Sequence, residues 1–184
     1  MTLRTFIAVE IGALDELVKF EDEIRGTGAE VKLVEPENIH ITLKFLGDTD
    51  DELVDNIIEI IRESGRGIKP FKLELRGTGA FPNLNYMKVL WVSINGYEPL
   101  VAIANSLNTK LKKLGFKSDK RGFKPHVTIG RVKSKKHKNA LKDLLVRNKS
   151  RFFHEIKVES VYLKKSILDS MGPTYYNLGK VELE

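Results

Sequence analysis

The sequence predicts an α+β domain of two similar lobes with a crease between them, and three observations predict it. The order strand, helix, strand, helix, strand is read twice along the chain, and the two runs are offset by about half of its 184 residues. At the centre of each run stands a His-x-Thr motif, His40-Ile41-Thr42-Leu43 in the first and His126-Val127-Thr128-Ile129 in the second. From Phe71 to Arg76 apolar and charged residues alternate with period two, the signature of a sheet with one wet face. Self-similarity over this period marks internal duplication, and two lobes sharing a core leave a crease where they meet.

Taken in order, Thr5 to Ile11 reads as a strand. Leu14, Leu17, Val18, Phe20 and Ile24 then fall close to helical spacing, and Gly26 and Gly28 supply a stop. A second strand runs from Ile39 to Leu46, entered through Pro36 and closed by Gly47. Asp50 or Asp51 caps a helix carrying Leu53, Val54, Ile57, Ile58, Ile60 and Ile61. Phe71, Leu73 and Leu75 alternate with Lys72, Glu74 and Arg76 in a third strand. The second run comprises a strand from Lys88 to Ile94, a helix from Glu98 to Leu114 ended by Gly115, and a strand from His126 to Arg131. A helix from Asn139 to Asn148 and a strand from Phe152 to Leu163 complete it. Twelve positions separate Gly28 from His40 and eleven separate Gly115 from His126, so the copies keep nearly the same spacing. One domain, 1–184, with pseudo-symmetric halves of roughly 1–80 and 85–184, is expected.

Composition narrows the chemistry. Apolar residues at 41% and 14 glycines fit an ordinary globular protein, and one domain fits the length. The longest uninterrupted apolar run, Leu100 to Ala104, is far short of the roughly 20 residues that cross a membrane. Glu10 breaks the N-terminal run before it could serve as a signal segment, so no membrane contact and a cytoplasmic location are expected. Cysteine is absent, which excludes disulfides, thiolate nucleophiles, Cys-ligated zinc and iron–sulfur clusters. Many Lys and Glu, with no Cys and no Gln, give a thermophile-like composition.

Charge is unevenly placed. The chain carries 31 basic and 25 acidic residues, a net charge of +6. Residues 1–92 hold 11 basic and 17 acidic side chains, net −6, and residues 93–184 hold 20 and 8, net +12. Between Lys110 and Lys142 there are thirteen Lys or Arg and one acid, Asp119. Such a cluster suits an anionic partner, above all the phosphates of a nucleic acid, whose condensed counterions it releases. A solvated lysine face is the simpler alternative.

Successive side chains of a strand point to opposite faces, so His40 and Thr42 share one face and His126 and Thr128 share another. Either motif alone would be an ordinary strand with a satisfied histidine. Its recurrence at equivalent places, in a chain of four histidines, points instead to two imidazoles meeting across the crease. Near neutral pH one imidazole can accept a proton while the other donates one. Displacement at a phosphodiester needs both transfers, each contributing roughly 10²- to 10⁴-fold. The threonine hydroxyls beside them can donate to non-bridging phosphoryl oxygens. No metal and no cofactor are required: zinc-binding pairs on a helix are three or four residues apart, whereas these are 86 apart.

At these residues the sequence resembles the two-histidine (2H) phosphoesterase superfamily, whose hallmark is paired His-x-Thr-x motifs on the lobes of a duplicated fold. The nearest members are similar to the archaeal and bacterial RNA 2',3'-cyclic phosphodiesterases, long called 2'-5' RNA ligases. The resemblance spans essentially the whole chain and includes RTFIAVE at the N-terminus, KFLGD after the first motif, GTGAFPN at residues 77–83, VLWV around Trp91 and LKKSILDSMGPTY near the C-terminus. It implies antiparallel sheets with helices packed outside, an active-site cleft between the lobes, and opening of a terminal 2',3'-cyclic phosphate to a 2'-phosphomonoester. The resemblance gives His40 and His126 as the catalytic pair, His40 protonating the departing 3'-oxygen and His126 activating water. Thr42 and Thr128 would hold the phosphate, joined by Arg131, which stands where family members often have an arginine. Strict alternation puts Arg131 on the face opposite His126. The same site could join a 5'-hydroxyl to the cyclic phosphate in reverse. The implied partner is RNA with 2',3'-cyclic phosphate ends, bound by a monomer.

Other residues read differently. Gly77-Thr78-Gly79 lacks the ending of a P-loop and reads as a turn or bulge. Trp91 reads as core, His137 as solvated and His154 as structural, while Phe45 and Tyr86 are candidates for stacking on a terminal base. The competing function is an RNA- or nucleotide-binding module without turnover, in which the histidines only hold phosphate.

Overall fold

The structure, a computed structural model, describes residues 2–184. Nine strands and four α-helices alternate: β1 (Thr2–Glu10), α1 (Asp15–Gly26), β2 (Val31–Leu33), β3 (His40–Asp50), α2 (Val54–Gly65), β4 (Phe71–Asn83) and β5 (Tyr86–Asn95). They continue through α3 (Glu98–Lys110), β6 (His126–Val132), α4 (Lys138–Arg147), β7 (Phe152–Val158), β8 (Ser160–Asp169) and β9 (Gly172–Glu182). The strands form two sheets, ordered β3-β1-β8-β9 and β2-β6-β5-β4-β7, with every pairing antiparallel. None of the helices among the described residues is long and apolar enough to cross a membrane.

Each helix buries the stripe its sequence spacing presents. Leu17, Phe20 and Ile24 of α1, Ile57 and Ile61 of α2, Leu100, Ile103, Ala104 and Leu107 of α3, and Leu141, Leu144 and Leu145 of α4 are all in the core. Helices α2 and α3 cover the first sheet and α1 and α4 the second, so each sheet has one helix-covered face and one face turned to the crease. The first sheet's central strand β1 is buried on both faces from Phe6 to Val9, which explains its unbroken apolar run.

The sheets are not the halves of the sequence. Strand β4 leaves the first half to pair with β5, and β8 leaves the second half to pair with β1. Each sheet therefore repeats one plan, with the histidine strand at or next to the edge, its first-strand partner beside it, and a strand from the other half beyond. The halves expected to divide near residues 80–85 do not coincide with the two sheets. Similarly, the strand expected from Phe152 to Leu163 is two strands, β7 and β8, in different sheets. A continuous β-favouring run cannot reveal that Glu159 carries the chain across. Strand β9 went unpredicted because its residues are mostly half-buried or exposed and show no clean alternation. Gly77 to Gly79 lie within β4, where its register with β5 slips between Leu75 and Thr78, as a bulge requires.

Strand β2 pairs with β6 in the second sheet and leads, through a turn at Pro36–Asn38, directly into β3 in the first. The two histidine strands are thereby held beside one another where the sheets meet. This junction is tight. A Cβ on Gly130 would stand 2.7 Å from Val31 Cγ1 and 3.1 Å from the Lys32 carbonyl oxygen. Gly130→Ala should push β2 off β6 and cost about 1–3 kcal/mol, read as a lower urea midpoint; an unchanged midpoint would show that β2 yields freely.

Candidate active site

Both histidines begin their strands, and each is oriented by the backbone two residues before it. His40 Nδ1 lies 2.7 Å from the Asn38 carbonyl oxygen, and His126 Nδ1 lies 2.7 Å from that of Lys124. A carbonyl oxygen can only accept, so in both rings Nδ1 carries the proton and the neutral imidazole presents a bare Nε2. Thr42 Oγ1 donates to His40 Nε2 at 2.9 Å. Aromatic rings brace both imidazoles: Tyr175 meets His40 edge-on at 5.4 Å, Phe6 lies 5.1 Å from it, and Phe81 meets His126 edge-on at 5.0 Å.

The pairings show which side chains share the crease. His40 and Thr42 pair with Glu10 and Ala8 of β1, and His126 and Thr128 pair with Ser93 and Trp91 of β5. After each threonine the register slips by one residue. Leu43 is extra between the Thr42 and Lys44 pairings, and Ile129 is extra between the Thr128 and Gly130 pairings. Leu43 with Lys44, and Ile129 with Gly130, are all buried. The next residue in each strand, Phe45 or Arg131, then returns to the histidine face. Strict alternation placed Arg131 on the opposite face; the bulge reverses that. Its charge acts on the Tyr175 hydroxyl, whose pKa burial raises and Arg131 partly lowers, and Tyr175 is the ring packed on His40. His40, Thr42, His126, Thr128 and Arg131 thus line one crease.

The first bulge has a second consequence. Lys44, only 4% exposed, is turned toward α3, where its Nζ donates to Asn108 Oδ1 at 3.0 Å and to the Lys117 carbonyl at 2.8 Å. Asn108 Oδ1 also accepts from the Asp119 backbone at 2.8 Å. The strand of His40 therefore anchors the loop that leads to His126.

Burial pushes the pKa of both histidines below the usual imidazole value. At His40 the charges of Lys164 and His126 push the same way, against the Asn38 carbonyl and Glu10. At His126 only the Lys124 carbonyl opposes burial. That His126 charge is felt at His40 fits two rings facing a common space. A recess of about 360 Å³ opens beside His40, lined by Glu10, Asn38, Lys164, Tyr175 and Asn177 among others. Sequence reasoning gives these residues no role, although Glu10, Lys164 and Tyr175 fall inside the RTFIAVE and LKKSILDSMGPTY segments that carry the resemblance.

Trp91 was expected in the core and instead lies on the crease face, half-buried, flat against Gly79, where a Cβ would stand 2.4 Å from the indole. Phe45 is 61% exposed and stacks on Phe6 at 5.7 Å. Tyr86 is exposed where β4 turns into β5. His137 is exposed, its ring near Gly28, and His154 is exposed on β7 opposite Leu75.

Two sheets joined along paired histidine strands define a duplicated α+β protein with a candidate acid–base centre in its crease. The chain belongs to the 2'-5' RNA ligase superfamily, whose family model matches residues 13–167. It is 42% identical over 178 residues to an RNA 2',3'-cyclic phosphodiesterase of Archaeoglobus fulgidus, covering 96% of this chain and 98% of that one. It is 35% identical over 180 residues to the protein of the same name from Methanothermobacter thermautotrophicus, covering 97% of each. Among solved structures, TT0787 of Thermus thermophilus matches with a TM-score of 0.81 and 29% identity over 98% of both chains. Escherichia coli LigT, crystallised with 3'-AMP, matches in fold with a TM-score of 0.77 at 21% identity, covering 100% of this chain and 99% of that one.

A histidine pKa lowered by folding means that the unfolded chain binds more protons as the pH falls. The stability from this source is complete above the unfolded value of about 6.5 and is lost as pH falls through the lowered folded value. Glu21 acts in the opposite sense. Its carboxyl is buried without a hydrogen-bond partner among the described residues, and burial pushes its pKa up to about 7. The stability difference between the native chain and a His40→Asn/His126→Asn double variant isolates the imidazoles. In urea titrations that difference should shift in the variant's favour from about pH 7 to about pH 5; parallel pH dependences would show that folding leaves the two histidines unperturbed.

Proposed function

We propose that this chain hydrolyses the 2',3'-cyclic phosphate at an RNA end to a 2'-phosphomonoester, by acid–base catalysis between His40 and His126. The observation that carries this reading is the matched orientation of the two imidazoles, each with Nδ1–H tied to a carbonyl and Nε2 left as the proton-exchanging nitrogen, at His40 accepting from Thr42 Oγ1. Its relatives' names as RNA 2',3'-cyclic phosphodiesterases support the choice of substrate. Water attacks phosphorus as His126 takes its proton; the P–O3' bond breaks as His40 gives its proton to the departing oxygen. Proton transfers alone complete the cycle, so the reaction needs no metal. With a 5'-hydroxyl in place of water as the nucleophile, the same transfers form a 2'-5' linkage as the P–O3' bond breaks.

Thr42 and Thr128 stand two residues after their histidines on the same faces and donate to the non-bridging oxygens, where charge accumulates. Thr42 leaves His40 Nε2 when the phosphate arrives. Arg131 supplies a fixed positive charge from the same face. Phe45, the residue equivalent to Arg131 in the first motif, offers an aromatic face to the terminal base, a contact worth about 1–3 kcal/mol.

His40→Ala and His126→Ala should each lower turnover of an RNA ending in a 2',3'-cyclic phosphate by at least about 10²- to 10⁴-fold, with the far-ultraviolet spectrum unchanged. Full activity in both variants would overturn the reading. Activity should persist in excess chelator, the terminus formed should be a 2'-phosphate, and the rate should be bell-shaped in pH. Thr128→Val should lower kcat by about 10²-fold. Arg131→Ala should chiefly raise KM and flatten the dependence of KM on salt; a KM independent of Arg131 would remove it from the site.

A further inference from the structure

The pairings around the two histidines correspond position by position. Glu10 faces His40 where Ser93 faces His126; Ala8 faces Thr42 where Trp91 faces Thr128; Phe6 faces Phe45 where Val89 faces Arg131. One strand further out, Tyr162 and Lys164 of β8 pair with Ala8 and Phe6, and Gly79 and Phe81 of β4 pair with Trp91 and Val89. Volume is conserved across this correspondence, a small residue beside a large ring in each half: Ala8 with Tyr162, Gly79 with Trp91. Charge is not. On the His40 half, Lys164 is 7% exposed, forms an ion pair with Glu10, and donates to Asn177 Oδ1 at 2.8 Å. On the His126 half the same two places hold Ser93 and Phe81, the ring that braces His126.

We propose that the Glu10–Lys164 ion pair is the positioning element that makes the two imidazoles unlike, setting the proton affinity of His40 independently of His126. The proposal rests on the acid–base reading of the crease, since unequal proton affinities are what let one histidine donate while the other accepts. The titratable and charged groups around His40 are few. Glu10 comes from β1, Lys164 from β8, Tyr175 and Tyr176 from β9, His126 and Arg131 from β6, and Glu37 from the turn before β3. Glu37, Tyr176 and Arg131 are exposed, so water screens them, and Tyr175 is held neutral by its raised pKa. The ion pair is the charge built into the His40 side of the crease, one member in register with His40 and the other buried. Neither charge acts alone, because each cancels much of the other's field at His40. Removing one exposes the other.

Imidazole titrations followed by NMR test this directly, whether or not the protein turns over RNA. Glu10→Gln leaves the ammonium beside His40 and should weaken its proton binding about threefold to tenfold; Lys164→Met leaves the carboxylate and should strengthen it by a similar factor. The double variant removes the element itself and should leave His40 and His126 titrating more alike than in the native chain. His126 should move little in all three. In the active enzyme, one limb of the pH–rate profile should move, in opposite directions in the two single variants. The proposal is overturned if His40 does not respond, if both variants shift it the same way, or if His126 shifts as much. Should Lys164→Met fail to fold, Glu10→Gln and Glu10→Asp decide: a shift in the first, largely restored in the second, supports the ion pair, and equal shifts overturn it. Absence of turnover with these titrations intact would count against the phosphodiesterase reading and not against the ion pair.

Discussion

One extra residue directly after each motif's threonine governs the crease. An extended chain alternates its side chains without exception, and a strand that placed His and Thr on one face would send the residue three beyond the threonine to the other. The bulge after Thr42 and the bulge after Thr128 each absorb one residue, so Phe45 and Arg131 join the histidine face. The same slip turns Lys44 into the layer between sheet and helix, where it holds the loop approaching His126, and leaves Gly130 where β2 needs close backbone contact. Without the bulges the crease would keep its histidines and threonines and lose the groups that flank them. It would also lose the tether between its two sides.

The exchange of strands between the halves bears on rigidity. If each half had folded as a lobe by itself, the lobes would share one interface and the crease would open about a hinge. Here β4 is hydrogen-bonded into the second sheet and β8 into the first, while α1 and α3 likewise pack on the sheet opposite the strands they follow. Opening the crease would require breaking sheet pairing, not merely sliding a surface. Two imidazole rings drawn from different sheets can then be held to the tolerance that the proposed displacement at one phosphorus centre demands.

Much of this was legible in the sequence because the relevant signals are local. Period-two alternation located the start of β4; helical spacing located all four helices; and two His-x-Thr motifs in matched runs located the crease. What was not legible depends on partners. Arg131 was assigned to the wrong face because a bulge is a property of two strands in register, and no residue in Ile129-Gly130 announces it. The swap of β4 and β8 was hidden because a strand's pattern records that one face is buried and not which sheet buries it. Trp91 was placed in the core on apolarity alone, when its place on the crease follows from pairing with Thr128 and Gly79. Lys164 and Glu10 lie in segments shared with the family, but the sequence assigns them no role; that arises from the pairing of Glu10 with His40 and of Lys164 with Glu10.

Burial that depresses both imidazoles poses a question the geometry also answers. On the proposed reading in-line displacement requires a donor as well as an acceptor, and burial works against the donor. A phosphate diester bound in the crease would offset that effect. A unit negative charge 4 Å from a unit positive one is attracted by about 4 kcal/mol at an effective dielectric of 20, and each pKa unit corresponds to about 1.4 kcal/mol. A bound phosphate diester therefore favours one imidazolium strongly, and a second one less, because the first proton repels it across the same space. Anion binding and acid formation are on this account a single event. The ring that takes the proton is set by the fixed charges beside each, the Glu10–Lys164 pair on the His40 side and the Arg131 guanidinium on the His126 strand.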